Sequence, residues 1–229
     1  MADRVSETAG RLAFGGLRAE GIAANLARVR ERIAAAGGDP AAVEICAAVK
    51  YVAAGELPAL AEAGIELVGE NRAQDLLAKQ AEHADLFTWD FIGTLQSRKV
   101  REVAGAVRLI HSVASDSALR RLAQHPAPEI LVEVDVAGEV GKAGIAPGEL
   151  DDFIARAPVP VSGLMTMPPA VERPEDSRRH FARLAELAAD HGLARLSMGT
   201  TQDFEVAVAE GATIVRLGSV LYEGASGSS

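Results

Sequence analysis

Residues 65–93 read IELVGENRAQDLLAKQAEHADLFTWDFIG, and this stretch decides the fold. An apolar, β-rich run at 65–69 gives way to an Ala/Glu/Leu-rich stretch of helical character at 72–83. A second apolar run follows at 88–93. Strands this continuously apolar are covered on both faces, and the helices between them make the sheet parallel. The unit repeats outward in both directions. Strands are predicted at 44–49, 65–69, 88–93, 107–112, 130–136, 159–165, 194–198 and 213–218. Helices are predicted between them at 56–63, 72–83, 96–104, 115–124, 147–157, 175–191 and 202–210.

Upstream, Leu17, Ile22, Leu26, Val29 and Ile33 recur at near-helical spacing, and Gly37-Gly38 supplies a stop. Eight strand–helix units behind one leading helix predict an α/β fold, a single (β/α)8 TIM-type barrel with a leading N-terminal helix. One domain then spans 1–229, with the helix at about 12–37, the barrel at 44–222 and a frayed tail at 224–229. An open doubly wound sheet shares the alternation and stands as the alternative. No G-x-G-x-x-G follows the first strand, so a dinucleotide fold has little support. The longest irregular connection, 168–174, follows the sixth strand and reads either as a surface connection or as a loop over the barrel mouth.

Composition removes whole classes of function. The net charge is −9 and no Lys/Arg stripe is present, so the counterion release that drives nucleic-acid binding has no source. The single cysteine, Cys46, lies in an apolar run and reads as a buried small hydrophobe without a disulfide. The five His are scattered, and no metal-ligand spacing occurs. The first ten residues are polar, and no apolar run reaches the length of about 18 residues that a membrane span needs. These features predict a cytoplasmic chain with no membrane partner.

Chemistry is expected at the C-terminal ends of the strands, where barrels carry their active sites. Lys50 ends the first strand. At the edge of a low-dielectric core its neutral amine is favoured, and a neutral amine attacks an aldehyde to form a Schiff base. The plain alternative is a lysine with a packed stem and a solvated head. Strand seven leads into Ser197-Met198-Gly199-Thr200-Thr201, and strand eight into Arg216-Leu217-Gly218-Ser219. Loops after strands seven and eight often bind phosphate in barrels, where glycines admit close backbone approach and hydroxyls donate. The alternative is that Thr201 caps the helix predicted to begin at Gln202. Asn71 stands where strand two meets its helix and suits either capping or a ligand contact. Clusters 91–100, 111–113 and 141–144 line the mouth or make ordinary turns, and Asp151-Asp152 reads as a solvated helix start.

Seven motifs then occur in order. They are Ala48-Val49-Lys50, Gly69-Glu70-Asn71-Arg72-Ala73-Gln74, the run 91–99, Gly163-Leu164-Met165, Leu196-Ser197-Met198-Gly199, Asp203-Phe204-Glu205 and Arg216-Leu217-Gly218-Ser219. Together they resemble the pyridoxal phosphate homeostasis protein family (YggS/PROSC type) from about Ile45 to Gly224. The resemblance implies a barrel like the N-terminal domain of alanine racemase, with pyridoxal 5′-phosphate (PLP) held on Lys50 as a Schiff base. Ser197, Gly199, Thr201, Gly218 and Ser219 match the phosphate-binding positions, and Met198 counts with them among the implied cofactor-binding residues. Arg216 matches an arginine near the pyridine nitrogen, which would leave that nitrogen unprotonated and the ring a poor electron sink. Asn71 matches a residue beside the ring.

The implied role is PLP binding in vitamin B6 homeostasis without catalysis, as a monomer, with PLP-dependent apoenzymes as recipients. No catalytic or metal-binding residue is implied. The rival is a PLP-dependent racemase or lyase in which Lys50 acts as the base. Alanine-racemase-like enzymes use a second domain with a catalytic tyrosine, whereas only a short tail follows strand eight here. Departures from the family pattern are Tyr51 for a frequent Thr with a nearby Pro missing, Asp90 for a common His, Arg98 for a common Asn, and Thr200-Thr201 for Met-Ser. They leave the roles of Tyr51, Asp90 and Arg98 unassigned.

Overall fold

The computed structural model describes residues 14–138, 141 and 143–227. The sequence-stretch ends at 1–13 and 228–229, and Lys142 of the 141–144 cluster, lie outside the described residues. Eight strands form a closed parallel barrel in chain order among the described residues. They are β1 (Glu44–Ala48), β2 (Leu67–Glu70), β3 (Thr88–Phe91), β4 (Leu109–Val113), β5 (Glu129–Glu133), β6 (Val161–Met165), β7 (Arg195–Ser197) and β8 (Ile214–Leu217). Closure by β8 on β1, with Cys46 opposite Arg216, excludes the open doubly wound sheet.

Helices fill the predicted intervals. They are α1 (Ala19–Ala35), α2 (Leu57–Glu62), α3 (Ala73–His83), α4 (Val100–Ala104), α5 (Asp116–Leu122), α6 (Leu150–Ala155), α7 (Arg178–Asp190), α8 (Phe204–Ala209) and α9 (Ser219–Tyr222). The short α9 has no counterpart among the sequence expectations. The leading helix starts at Ala19, directly after Arg18, whose backbone is extended.

Strand alternation divides the core in two. Cys46, Leu67, Leu109, Leu131, Met165 and Ile214 point to the axis and form an inner apolar layer. The opposite strand faces pack against the helices in one large cluster. Each fully buried aliphatic side chain contributes roughly 1.5–3 kcal/mol to this arrangement. Cys46 is fully buried, and burial pushes its thiol well up. The floor, at the N-terminal strand ends, is closed by ions. Arg108 pairs with Glu44 at 2.8 Å, and Arg195 reaches Glu44 and Glu129 at 3.4 Å each.

The tail differs from expectation. Ala225 is buried, Arg18 N–H donates to its carbonyl at 2.8 Å, and Gly227 N–H donates to the Gly16 carbonyl at 3.0 Å. Leu17 and Ser226 form an antiparallel bridge. Residues 224–227 are therefore fastened to the segment before α1 rather than frayed, because backbone hydrogen bonds need no particular side chains.

Candidate functional site

Inward-facing residues along β1 fall at Glu44, Cys46 and Ala48, so the same parity carries Lys50 to the mouth. Its position agrees with the sequence reading, but its environment does not. Lys50 is exposed, with Nζ 4.7 Å from the centroid of the Tyr51 ring. The strand ends at Ala48, so the side chain stands above the buried layers and outside the low-dielectric edge. Tyr51, a departure from the family pattern, thus forms the cation–π platform beneath that ammonium.

The backbone under Lys50 is clamped by a pair that sequence reading missed. The Val49 carbonyl accepts a hydrogen bond from Lys79 Nζ at 2.6 Å, and Lys79 Nζ lies 2.5 Å from Glu70 Oε1. The second oxygen of Glu70 accepts from Asn71 N–H at 2.7 Å. Glu70 is fully buried and Lys79 nearly so. A buried ion pair of this kind holds geometry when both partners are further hydrogen-bonded, as here. The available signal was a lysine in the apolar stripe of α3, in step with Ala73 and Leu76.

Asn71 does not cap α3, whose N-cap position is Arg72 and lacks a side-chain cap. Its Oδ1 is buried and has no partner among the described residues. Gly93 makes room for it, since a Cβ there would strike the Asn71 backbone. Asn71 also lines a groove of about 230 Å³ with Arg72, Phe91, Gln96, Arg98 and Lys99.

Arg216 points inward from β8 and is 6% exposed. Burial pushes its guanidinium below the ordinary arginine value. Nη1 donates to the Ser197 carbonyl at 2.8 Å and to Ser197 Oγ at 2.6 Å. Nη2 donates to the Thr166 carbonyl at 2.9 Å and contacts Met167 Sδ at 3.0 Å. These four contacts occupy every Nη hydrogen and leave only Nε–H without a partner among the described residues. Arg216, Gly199, Thr200, Gln202, Asp203 and residues 167–171 enclose a cavity of about 220 Å³. The 168–174 connection therefore borders the mouth.

The two glycine turns meet. Gly218 N–H donates to Thr201 Oγ1 at 3.3 Å, so Thr201 joins the turns instead of capping α8. Asp203 stands at the N-cap position of α8 without a side-chain cap, and its carboxylate instead ties the turn by accepting from Thr200 N–H at 2.8 Å. Gly199 has φ +89°, a left-handed conformation that glycine adopts freely. No acceptor for the N–H of Gly199 or Thr201 occurs among the described residues. Ser219, first residue of α9, adds a hydroxyl beside them.

Two of the expected cofactor-binding residues lie below the mouth. Ser197 is fully buried, with its hydroxyl engaged by Arg216 and by His111 Nδ1 at 2.8 Å. Met198 is fully buried in the core between barrel and helices. Strand alternation sends Ser197 inward below the mouth and Met198 outward into the core. Glu133, on β5, was not singled out from sequence. It is 6% exposed, its Oε2 has no partner among the described residues, and burial pushes its carboxyl up. No group of three or more His, Cys, Asp or Glu able to hold a metal occurs among the described residues. Among the described residues no helix is long and apolar enough to cross a membrane.

A parallel barrel with its polar residues gathered at the β1, β2, β7 and β8 ends is the alanine racemase N-terminal domain class. The model of that family, "Alanine racemase, N-terminal domain", matches residues 18–226. Within this class the chain belongs to the pyridoxal phosphate homeostasis protein family (YggS/PROSC type). The pyridoxal phosphate homeostasis protein of Aquifex aeolicus is 40% identical over 217 residues, covering 86% of this chain and 95% of the relative. Its counterpart in Pseudomonas aeruginosa is 39% identical over 216 residues, covering 89% and 94%. PipY of Synechococcus elongatus, solved with PLP bound, matches with TM-score 0.75 and 32% identity, covering 88% of this chain and 99% of PipY.

Proposed function

We propose that this chain binds pyridoxal 5′-phosphate and serves in intracellular vitamin B6 homeostasis as a non-catalytic holder that supplies PLP-dependent apoenzymes. The observation that carries the reading is Lys50, brought to the mouth by the inward parity of β1. The residues present fit the group. An amine stands at the mouth, Asn71 Oδ1 is an orphaned buried acceptor, and Arg216 keeps one free N–H. The joined turns offer the unpaired N–H groups of Gly199 and Thr201 and the Ser219 hydroxyl for a phosphate.

Lys50 would hold the group by attack of its neutral amine on the aldehyde carbon, with loss of one water, giving a Schiff base. Bound PLP supplies an electrophilic aldehyde and an aromatic electron sink. The chain's residues restrain that chemistry. Arg216, permanently cationic, would offer an N–H rather than a carboxylate to the ring nitrogen, which would keep that nitrogen unprotonated. Of the two tyrosines, Tyr222 has its hydroxyl buried, and Tyr51 lies under the Lys50 ammonium.

The test is visible absorbance after addition of PLP, followed by borohydride reduction and peptide mapping. A yellow protein labelled at Lys50, and a colourless Lys50→Ala variant, are expected. A colourless wild type, or label spread over surface lysines, overturns the binding reading. Incubation with D- or L-alanine should leave the enantiomeric ratio at the Lys50→Ala level. Turnover above that level overturns the non-catalytic reading.

A further inference from the structure

A continuous line of polar contacts runs through the barrel from floor to mouth. Glu44, opening β1, accepts two hydrogen bonds from Arg108 at 2.8 and 2.9 Å. Arg108 also donates to both oxygens of Asp90, at 3.0 and 2.7 Å. Asp90 Oδ2 lies 3.0 Å from His111 Nε2, and His111 Nδ1 lies 2.8 Å from Ser197 Oγ. Ser197 Oγ accepts from Arg216 Nη1 at 2.6 Å. Asp90, His111 and Ser197 are fully buried, so water does not substitute for any of them.

Donors at both ends fix the direction of every link. Arginine only donates, so Asp90 accepts from Arg108 and Ser197 Oγ accepts from Arg216. Burial alone would raise the Asp90 carboxyl, but its bonds to His111 and Arg108 outweigh that and hold it below its usual range. It is therefore a carboxylate, and His111 donates to it through Nε2–H. Burial pushes His111 below its ordinary value, which keeps it neutral, so its Nδ1 accepts the Ser197 hydroxyl hydrogen. With that hydrogen committed, the lone pairs of Ser197 Oγ are free for Arg216.

We propose that Asp90 and His111 are positioning residues that act through Ser197 to lock the Arg216 guanidinium with Nε–H as its only unused donor. A single N–H suits an acceptor with one lone pair, such as an unprotonated pyridine nitrogen. It does not suit a carboxylate or phosphate, which takes two parallel donors from a free guanidinium fork. The line thus sets which part of a ligand Arg216 receives. Glu133 and Asp203 are the carboxyl groups whose charges act on Arg216, and neither hydrogen-bonds it, so Ser197 and the Thr166 carbonyl bear its orientation. This inference rests on the PLP-binding reading for its ligand, but the order of donors is independent of it.

The experiment compares wild type with His111→Leu and His111→Gln. Glutamine can donate to Asp90 and accept from Ser197, which preserves the order; leucine can do neither. PLP titration followed by absorbance should show affinity about tenfold weaker in His111→Leu, the scale of a lost hydrogen bond to a charged group. The Schiff-base absorbance band and its pH midpoint should shift as well. His111→Gln should lie within about threefold of wild type on the same scale. Leu131→Ala, in the inner apolar layer, should lower Tm while leaving PLP affinity unchanged. Equal affinity and an unshifted band in His111→Leu overturn the proposal. Should His111→Leu fail to fold, the decision passes to long-range 1H–15N NMR of the wild type without PLP. An Nε2–H tautomer at His111 is required, and an Nδ1–H tautomer or an imidazolium overturns the proposal. A wild type that binds no PLP sinks the proposed function but leaves this NMR result to decide the relay.

Discussion

Glu133 is held inside the barrel without a hydrogen bond to its Oε2, and the cost of ionising it there raises its carboxyl above the ordinary 4.5. Arg216 opposes this but does not cancel it. Because the folded value is raised, its contribution to stability is complete below 4.5 and is lost as pH rises through the folded value. Thermal melts across that window should show Tm falling in wild type, with a flatter profile in Glu133→Gln. Parallel profiles would mean that Glu133 is already ionised in the fold. Single residues were partly legible in the sequence. Lys50, Asn71, Gly199 and Arg216 could be placed from sequence because each lies at or next to the C-terminal end of a strand. Ser197 was misplaced although the strand predicted at 194–198 already contained it, and parity put its side chain two residues below the mouth. Glu70 with Lys79, and Asp90 with His111, stayed hidden because their meaning comes from partners on other elements, which no local spacing encodes.

At the scale of elements, the least legible parts are α9 and the segment after it. Four residues give α9 no room for a helical period, and Gly/Ser composition made the tail look loose. Most of the strands, by contrast, carry a run of apolar residues that suits a doubly covered strand. The end of α9 is held by Asn25 of α1, which is 4% exposed. Its Nδ2 donates to the Leu221 carbonyl at 2.9 Å and to the Glu223 carbonyl at 3.0 Å. Gly21, one turn earlier, lets the tail lie close, since a Cβ there would meet Ala225 Cα at 2.8 Å. Asn25→Ala removes both donors and leaves two carbonyls wanting. It should cost roughly 1–3 kcal/mol in urea-induced unfolding. A loss within a few tenths would mean that water replaces the amide. In that case α9 would be fastened by packing of Leu221 and Tyr222 alone.

For the whole molecule, the closed floor and the polar mouth divide stability from ligand binding, as barrels commonly do. Arg195 belongs wholly to the floor. It is about a third exposed and reaches Glu44 and Glu129 only at 3.4 Å, so Arg195→Ala should cost no more than about 1 kcal/mol. PLP affinity should not change, because Arg195 touches the line only at Glu44, which Arg108 already holds at 2.8 and 2.9 Å. Arg108 stands on the same floor with a different reach. It is the partner of Asp90, which is fully buried and carries the line onward to His111, Ser197 and Arg216. Removing it leaves a buried carboxylate without its main cation, a loss of about 3–5 kcal/mol for a buried pair. The orientation of Arg216, some four contacts away, loses its anchor at the same time. Arg108→Ala should therefore weaken both chemical stability and PLP affinity, measured by denaturant melts and absorbance titration on the same preparations. If Arg108→Ala loses stability but keeps wild-type affinity, the line through the barrel is a structural strut. If both fall while Arg195→Ala lowers only stability, the floor communicates with the mouth along that one line.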